Sequence, residues 1–161
     1  MAGRDTPAVT AARRAGIPHA IHEYAHDASR HAFGREAVEA LGLPADRVFK
    51  TLVATVDGRL VIAVVPVDAQ LNLKALAAAL GGKHARLAEP ATAERATGYV
   101  VGGISPLGTR RALTTVLDAS ALSFQTVFIS AGRRGLELEL SPANLVRLTG
   151  ASTAPVSARN S

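Results

Sequence analysis

Cysteine is absent from the 161 residues, which excludes a disulfide framework, a thiolate metal site and a cysteine nucleophile. Tryptophan is absent too, methionine occurs once, and aromatic residues make up 4% of the chain, so aliphatic side chains must fill the interior. No apolar run approaches the ~18–20 residues that a membrane span needs, and "MAGRDTPAVT" lacks the basic-then-apolar order of a secretory signal. A soluble, cytoplasmic protein is the expectation. The phosphate-binding P-loop, the dinucleotide fingerprint, HExxH and the G-x-S-x-G nucleophile elbow are all missing. That argues against nucleotide hydrolysis, hydride transfer, zincin chemistry and an elbow-borne serine nucleophile. His19, His22, His26 and His31 gather early, but at no metal-binding spacing, so no metal is assigned.

What is there is a globular composition, 48% hydrophobic and 19% charged, which fits a single domain over residues 1–150. The tail "ASTAPVSARNS", residues 151–161, has little to bury and is expected to be disordered. Net charge is +5, and arginines come in pairs at Arg13-Arg14, Arg110-Arg111 and Arg133-Arg134. They suggest a polyanionic partner, although arginine-rich composition alone would give the same balance.

Thr6 and Pro7 predict a helix start and Gly16 its end; Phe33, Ala37 and Leu41 recur at helical spacing before Gly42 and Pro44. "HAIHEY", residues 19–24, reads as a strand. Val48–Val56 and Leu60–Val67 flank Asp57-Gly58, the strongest short hairpin signal. Asn72 caps a helix that Gly81-Gly82 ends, and Pro90–Thr97 reads as another. Tyr99–Val101 and Ala112–Leu117 are β-prone, "FQTVFIS" and "LELEL" read as strands joined across "AGRRG", and "SPANLVRLTG" closes with a helix. Hairpins exclude a purely parallel sheet, so the fold class is α+β: a mixed, partly barrel-like sheet with helices around it.

Two local features stand out. In "RVFKTLVATVDG", alternation places Lys50 on the face of Val48, Leu52, Ala54 and Val56, the more uniformly apolar of the two. An unpaired ammonium there costs several kcal/mol, on the order of a buried-charge penalty. It either snorkels to solvent, pairs with a carboxylate, or serves a pocket that binds phosphate or carbonyl. "GGISPLG", residues 102–108, is either a wide turn or a loop whose backbone approaches a ligand and directs N–H groups at an oxyanion.

Taken together, "FKTL" at 49–52, "TGYVVGGISPLG" at 97–108 and "ISAGRRGLELEL" at 129–140 resemble the YbaK family of aminoacyl-tRNA deacylases, which is related to the editing domain of prolyl-tRNA synthetase. Within the family the resemblance is strongest to the Cys-tRNA(Pro) deacylase subgroup, and it runs from "TPAV" to the last helix. It implies a partly barrel-like mixed sheet, no metal or organic cofactor, and hydrolysis of the ester between a wrong amino acid and the 3′ end of proline tRNA. By the same resemblance Lys50 and Gly102 are the catalytic positions. The family's neighbouring threonine falls on Thr51 and its GxxxP element on Gly102 and Pro106. Tyr24, Phe33, Ser130 and Glu137, with Gly103, Ile104 and Ser105 of the loop, would bind substrate. Glu137 stands where Cys-specific members resemble an aspartate, and alternation in "LELEL" would equally put it on a solvent face.

The resemblance implies deacylation of mischarged Cys-tRNA(Pro), in which the substrate thiol attacks its own carbonyl and positioning replaces an enzymatic nucleophile. Ala-tRNA(Pro) or another small mischarged aminoacyl-tRNA is the sibling substrate, and a non-catalytic tRNA- or synthetase-binding module is the alternative of another class. The expected partners are aminoacyl-tRNA and prolyl-tRNA synthetase, the latter in a ternary complex.

Overall fold

The computed structural model describes residues 4–159. The first helix, α1 (Pro7–Ala15), starts at Thr6, whose hydroxyl accepts from Val9 N, and ends at Gly16 in the left-handed conformation. Strand β1 (Ala20–Glu23) and helix α2 (Phe33–Leu41) follow. Strands β2 (Phe49–Val56) and β3 (Arg59–Pro66) form the predicted hairpin, with Asp57 and Gly58 both at positive φ. The Asp57 carboxylate then accepts from Lys83 N and His84 N, which fixes the turn against the chain leaving the next helix.

Strand β4 (Ala69–Leu71), helix α3 (Leu73–Ala79), strand β5 (Ala85–Leu87) and helix α4 (Pro90–Thr97) lead to the glycine-rich loop. Beyond it lie β6 (Thr114–Asp118), a short 3-10 turn (Ala119–Ser123), β7 (Val127–Arg133), β8 (Leu136–Leu140) and α5 (Pro142–Thr149). Tyr99–Val101 forms no strand. Tyr99 instead buries its ring and donates its hydroxyl to Leu107 O at 2.6 Å, a contact that holds the loop folded on itself.

The tail departs from expectation. Residues 152–154 and 157–159 form β9 (Ser152–Ala154) and β10 (Ser157–Arg159), and Val156 between them is fully buried. Their partners are remote in sequence: β9 runs parallel to β6, and β10 antiparallel to β4. Val156 N donates to Asp118 Oδ1 at 2.9 Å, and Asn72 N to Val156 O at 2.7 Å. The last two residues of the expected disordered tail lie outside the described residues.

The described residues form three sheets: β5-β2-β3-β6-β9, β1-β8-β7 and β10-β4. The first is mixed, with β3, β6 and β9 parallel and the hairpin antiparallel. Its central strands β3 and β6 are buried on both faces. Phe49, Val53, Ile62 and Val64 join a core with α1 and the leucines of β8, while Ala54, Val56, Val61, Ala63 and Val65 join a second with Leu76 of α3 and Val156. The α+β reading holds, but the sheets do not close into a barrel. A single parallel bridge, Val48 with Phe128, joins the edge of β7 to the start of β2, and there the two strands part.

Candidate functional site

The parting of β7 from β2 creates the site. Hydrogen-bonded pairs alternate along an antiparallel hairpin, and Val67 N donating to Val48 O at 2.8 Å fixes which residues face β3. Phe49, Thr51 and Val53 therefore direct their backbone groups to the other edge. There β5 pairs with β2 only at Ala54–Val56, and Ala88 N reaches Val53 O at 3.0 Å. Between the bridge at Val48 and the start of β5, the edge of β2 opens into a cavity of about 310 Å³. Side chains from both faces of β2 can border it, which is how Lys50 and Thr51, on opposite faces, come to share one site.

Of the residues expected at a site, Lys50, Gly102, Phe33, Thr51, Ile104, Ser130 and Glu137 line this cavity. Lys50 is half-buried; desolvation lowers its pKa from the usual lysine value, and the Asp68 carboxylate pulls the other way. The Thr51 hydroxyl is buried without a hydrogen-bond partner among the described residues. Ser130 Oγ accepts from Gly132 N at 3.3 Å. Glu137 is 7% exposed, so its face is not a solvent face, and desolvation pushes its carboxyl up to about 8.

Tyr24, Gly103, Ser105 and Pro106 are not brought to the cavity wall. Tyr24 lies close enough to Glu137 to feel its charge, and burial, followed by that carboxylate, raises its phenol to about 12. Gly103 and Ser105 brace the loop from within. Gly103 N donates to Val100 O at 2.8 Å, so this N–H closes a turn instead of facing an oxyanion. Ser105 is fully buried, and its Oγ accepts from Leu107 N at 3.2 Å. A Cβ on Gly103 would meet the Arg133 backbone at 2.7 Å, so the glycine serves close packing of the loop on the turn between β7 and β8.

Residues that sequence reasoning missed hold this arrangement. Arg134, read as a charge for a polyanion, turns inward. Its Nε and Nη2 donate to Val101 O at 2.9 and 2.6 Å, and its guanidinium lies 4.5 Å from the centre of the Phe33 ring. Arg133 pairs with Glu23 at 2.6 Å. Leu87 and Val101 border the mouth, and Val100 beside it is 60% exposed. The adjacency of Val101 to Gly102 was the one available signal; nothing local marked Arg134.

Two histidines are engaged by carboxylates. His26 Nδ1 lies 2.8 Å from Glu36, which also accepts from Asp27 N at 2.7 Å. Against desolvation, these contacts hold the Glu36 carboxyl below its ordinary range. His22 Nε2 lies 2.9 Å from Glu139, which Arg47 and Thr126 also reach. No histidine lines the cavity, so neither the Thr51 nor the Ser130 hydroxyl has an imidazole base there. The site can position an ester and bind charge at its ends; it offers no activated nucleophile of its own.

Residues 30–148 match the aminoacyl-tRNA editing domain family. EbsC of Enterococcus faecalis, a candidate Cys-tRNA(Pro)/Cys-tRNA(Cys) deacylase, is 34% identical over 145 residues, covering 89% of this chain and 87% of its own. The multifunctional Ser/Thr-tRNA deacylase ProXp-y of Escherichia coli is 33% identical over 104 residues, 62% of each chain. Among solved structures, a candidate trans-editing enzyme for prolyl-tRNA synthetase superposes with a TM-score of 0.81 at 25% identity, covering 98% of this chain and 99% of that one.

Proposed function

The chain belongs to the aminoacyl-tRNA editing domain family, and from that premise we propose that it is a trans-editing deacylase that removes cysteine from mischarged Cys-tRNA(Pro). The observation that carries the reading is a cavity with Lys50 on β2, Glu137 on β8 and no histidine-activated hydroxyl. It suits a substrate that brings its own nucleophile. The cysteinyl Sγ attacks its own carbonyl carbon; the C–S bond forms, the ester C–O bond breaks, and the ribose oxygen leaves with the proton the thiol gives up. The cyclic thioester so released opens in water.

In this reading Lys50 orients the terminal adenosine, its phosphate or the ester carbonyl, where a cation stabilises developing negative charge. Phe33, Thr51, Ile104 and Ser130 bound the aminoacyl group, and Gly102 keeps the wall thin enough for it to enter. Specificity for tRNA(Pro) is supplied by prolyl-tRNA synthetase in a ternary complex in the cytoplasm. Similarity to ProXp-y favours a second substrate reading, the seryl and threonyl esters.

The test is a deacylation panel of Cys-, Ala-, Ser- and Thr-charged tRNA with Pro-tRNA(Pro) as control, run with and without prolyl-tRNA synthetase. Preferential turnover of Cys-tRNA(Pro), raised by the synthetase, is expected. Turnover of Ala-tRNA(Pro) alone would replace the substrate and require water as nucleophile. Binding of tRNA without turnover of any ester would leave a non-catalytic module.

A further inference from the structure

Glu137 and Glu139 stand on one face of β8, two residues apart, in opposite states. Glu139 has three partners, His22, Arg47 and Thr126, and against desolvation they hold its carboxyl below the ordinary range. Glu137 borders the cavity and is 7% exposed, and no hydrogen bond or ion pair to its carboxylate occurs among the described residues; its oxygens stay open to the cavity, since Thr51 Oγ1 is the buried side-chain atom sealed off without a partner. A carboxyl more than nine-tenths buried, open only to a cavity, is costly to ionise without a cation there. The fold therefore spends a partner set on one glutamate and leaves the next facing the space a ligand would fill.

Resting on the deacylase reading, we propose that Glu137 is the anchor for the α-ammonium group of the aminoacyl ester, so that the site takes esters with a free α-amine and rejects N-acylated ones. The polarity of the cavity supports this. Lys50 on β2 suits the anionic, nucleotide end of the substrate, and Glu137 on β8 suits the only cation that an aminoacyl-adenosine with an uncharged side chain carries. Two cations lie near Glu137 with other engagements: Lys50 borders the same cavity from β2, and Arg133 pairs with Glu23. His22 and Ser130 are its cross-strand neighbours, Tyr24 is a phenol raised by burial, and Glu139 already holds His22 and Arg47.

Binding then has a proton balance. In the empty site burial keeps Glu137 protonated at neutral pH. An arriving ammonium converts the neutral acid to a carboxylate, and the proton leaves for the buffer: R–NH3+ and HOOC give the R–NH3+/carboxylate pair and H+.

The probe is 3′-(L-2-aminobutyrylamino)-3′-deoxyadenosine, a stable amide with an ethyl group in place of the cysteine side chain, compared with its N-acetyl derivative. Calorimetry at pH 7 in two buffers of different ionisation enthalpy counts protons. Wild-type protein is expected to release close to one proton per probe and to bind the N-acetyl form at least about tenfold more weakly, the worth of a charge-assisted hydrogen bond. In Glu137→Gln both the release and the preference collapse. Equal binding of the two probes, failure of the amine probe to bind a protein that deacylates tRNA, or unchanged proton release in Glu137→Gln overturns the assignment; the first two need no variant. A protein that deacylates tRNA without amine preference loses this inference alone. One that binds the amine with proton release but deacylates nothing loses the catalytic reading and keeps the ammonium site.

Discussion

At the scale of the residue, Lys50 and Glu137 are both ionisable groups kept in apolar surroundings against their own solvation. Lys50→Ala removes the desolvated ammonium, so kcat/KM for mischarged tRNA should fall about 100-fold, the order expected for one lost electrostatic contact in a transition state. The melting temperature should stay level or rise, since burial disfavours the charge that is removed. Unchanged deacylation would take Lys50 out of the chemistry. Glu137 acts on stability with the opposite sign to most carboxylates. Its folded pKa, about 8, lies above the ordinary 4.5, so the native state keeps a proton that the unfolded chain releases. Stability is thus lost as pH rises from about 4.5 to about 8. Glu36 and Glu139, held below the ordinary range, add stability that is present at neutral pH and lost as pH falls through that range. Melting curves between pH 5.5 and 8.5 should therefore slope downward in the wild type and flatten in Glu137→Gln; parallel curves would refute the assignment. None of this was legible in "LELEL", because alternation separates two faces without saying whether the polar face meets bulk water or a cavity.

At the scale of the element, the site depends on a gap. Thr6, Pro7 and Gly16, like Asp57-Gly58, could be read directly because caps and tight turns are set by neighbours in sequence. The gap could not, since it arises where β7 leaves β2 and β5 has not yet begun, a matter of partners about 30 to 80 positions away. Gly102 forms its thin wall. At φ 92°, a Cβ there would lie 2.7 Å from Phe33 Cδ2 and 2.8 Å from Arg134 Nε. Gly102→Ala should cost about 1–3 kcal/mol through the unfavourable backbone and the overlap. It should also abolish deacylation even at temperatures where the protein remains folded. Activity retained by a folded Gly102→Ala protein would show that Phe33 and Arg134 can yield, and that the wall is not tight. The loop was legible as unusual, but not its internal bracing, in which the Ser105 hydroxyl accepts from Leu107 N and the Tyr99 hydroxyl donates to Leu107 O.

At the scale of the whole molecule, residues with no local signal complete the sheet. Nothing in "ASTAPVSARNS" resembles a core segment, yet Val156 seals the second core and two short strands cover the edges of β6 and β4. Truncation after Gly150 should remove about 1.5–3 kcal/mol for Val156 alone. It also leaves the buried Asp118 carboxylate without the Val156 N–H, so a fall in melting temperature by several degrees is expected in calorimetry. A truncated protein as stable as the full chain would show that these strands only decorate the fold. The cavity has a related property. Its wall is drawn from segments far apart in sequence, from Phe33 on α2 and the start of β2 through Leu87 and Gly102 to Ser130 and Glu137. Loss of deacylase activity in urea should therefore coincide with loss of secondary structure, with no active intermediate. For an enzyme whose chemistry is ester cleavage, that coupling acts as a safeguard: a chain caught half-made or half-denatured holds no pocket, and so cannot strip correctly charged tRNA in the cell.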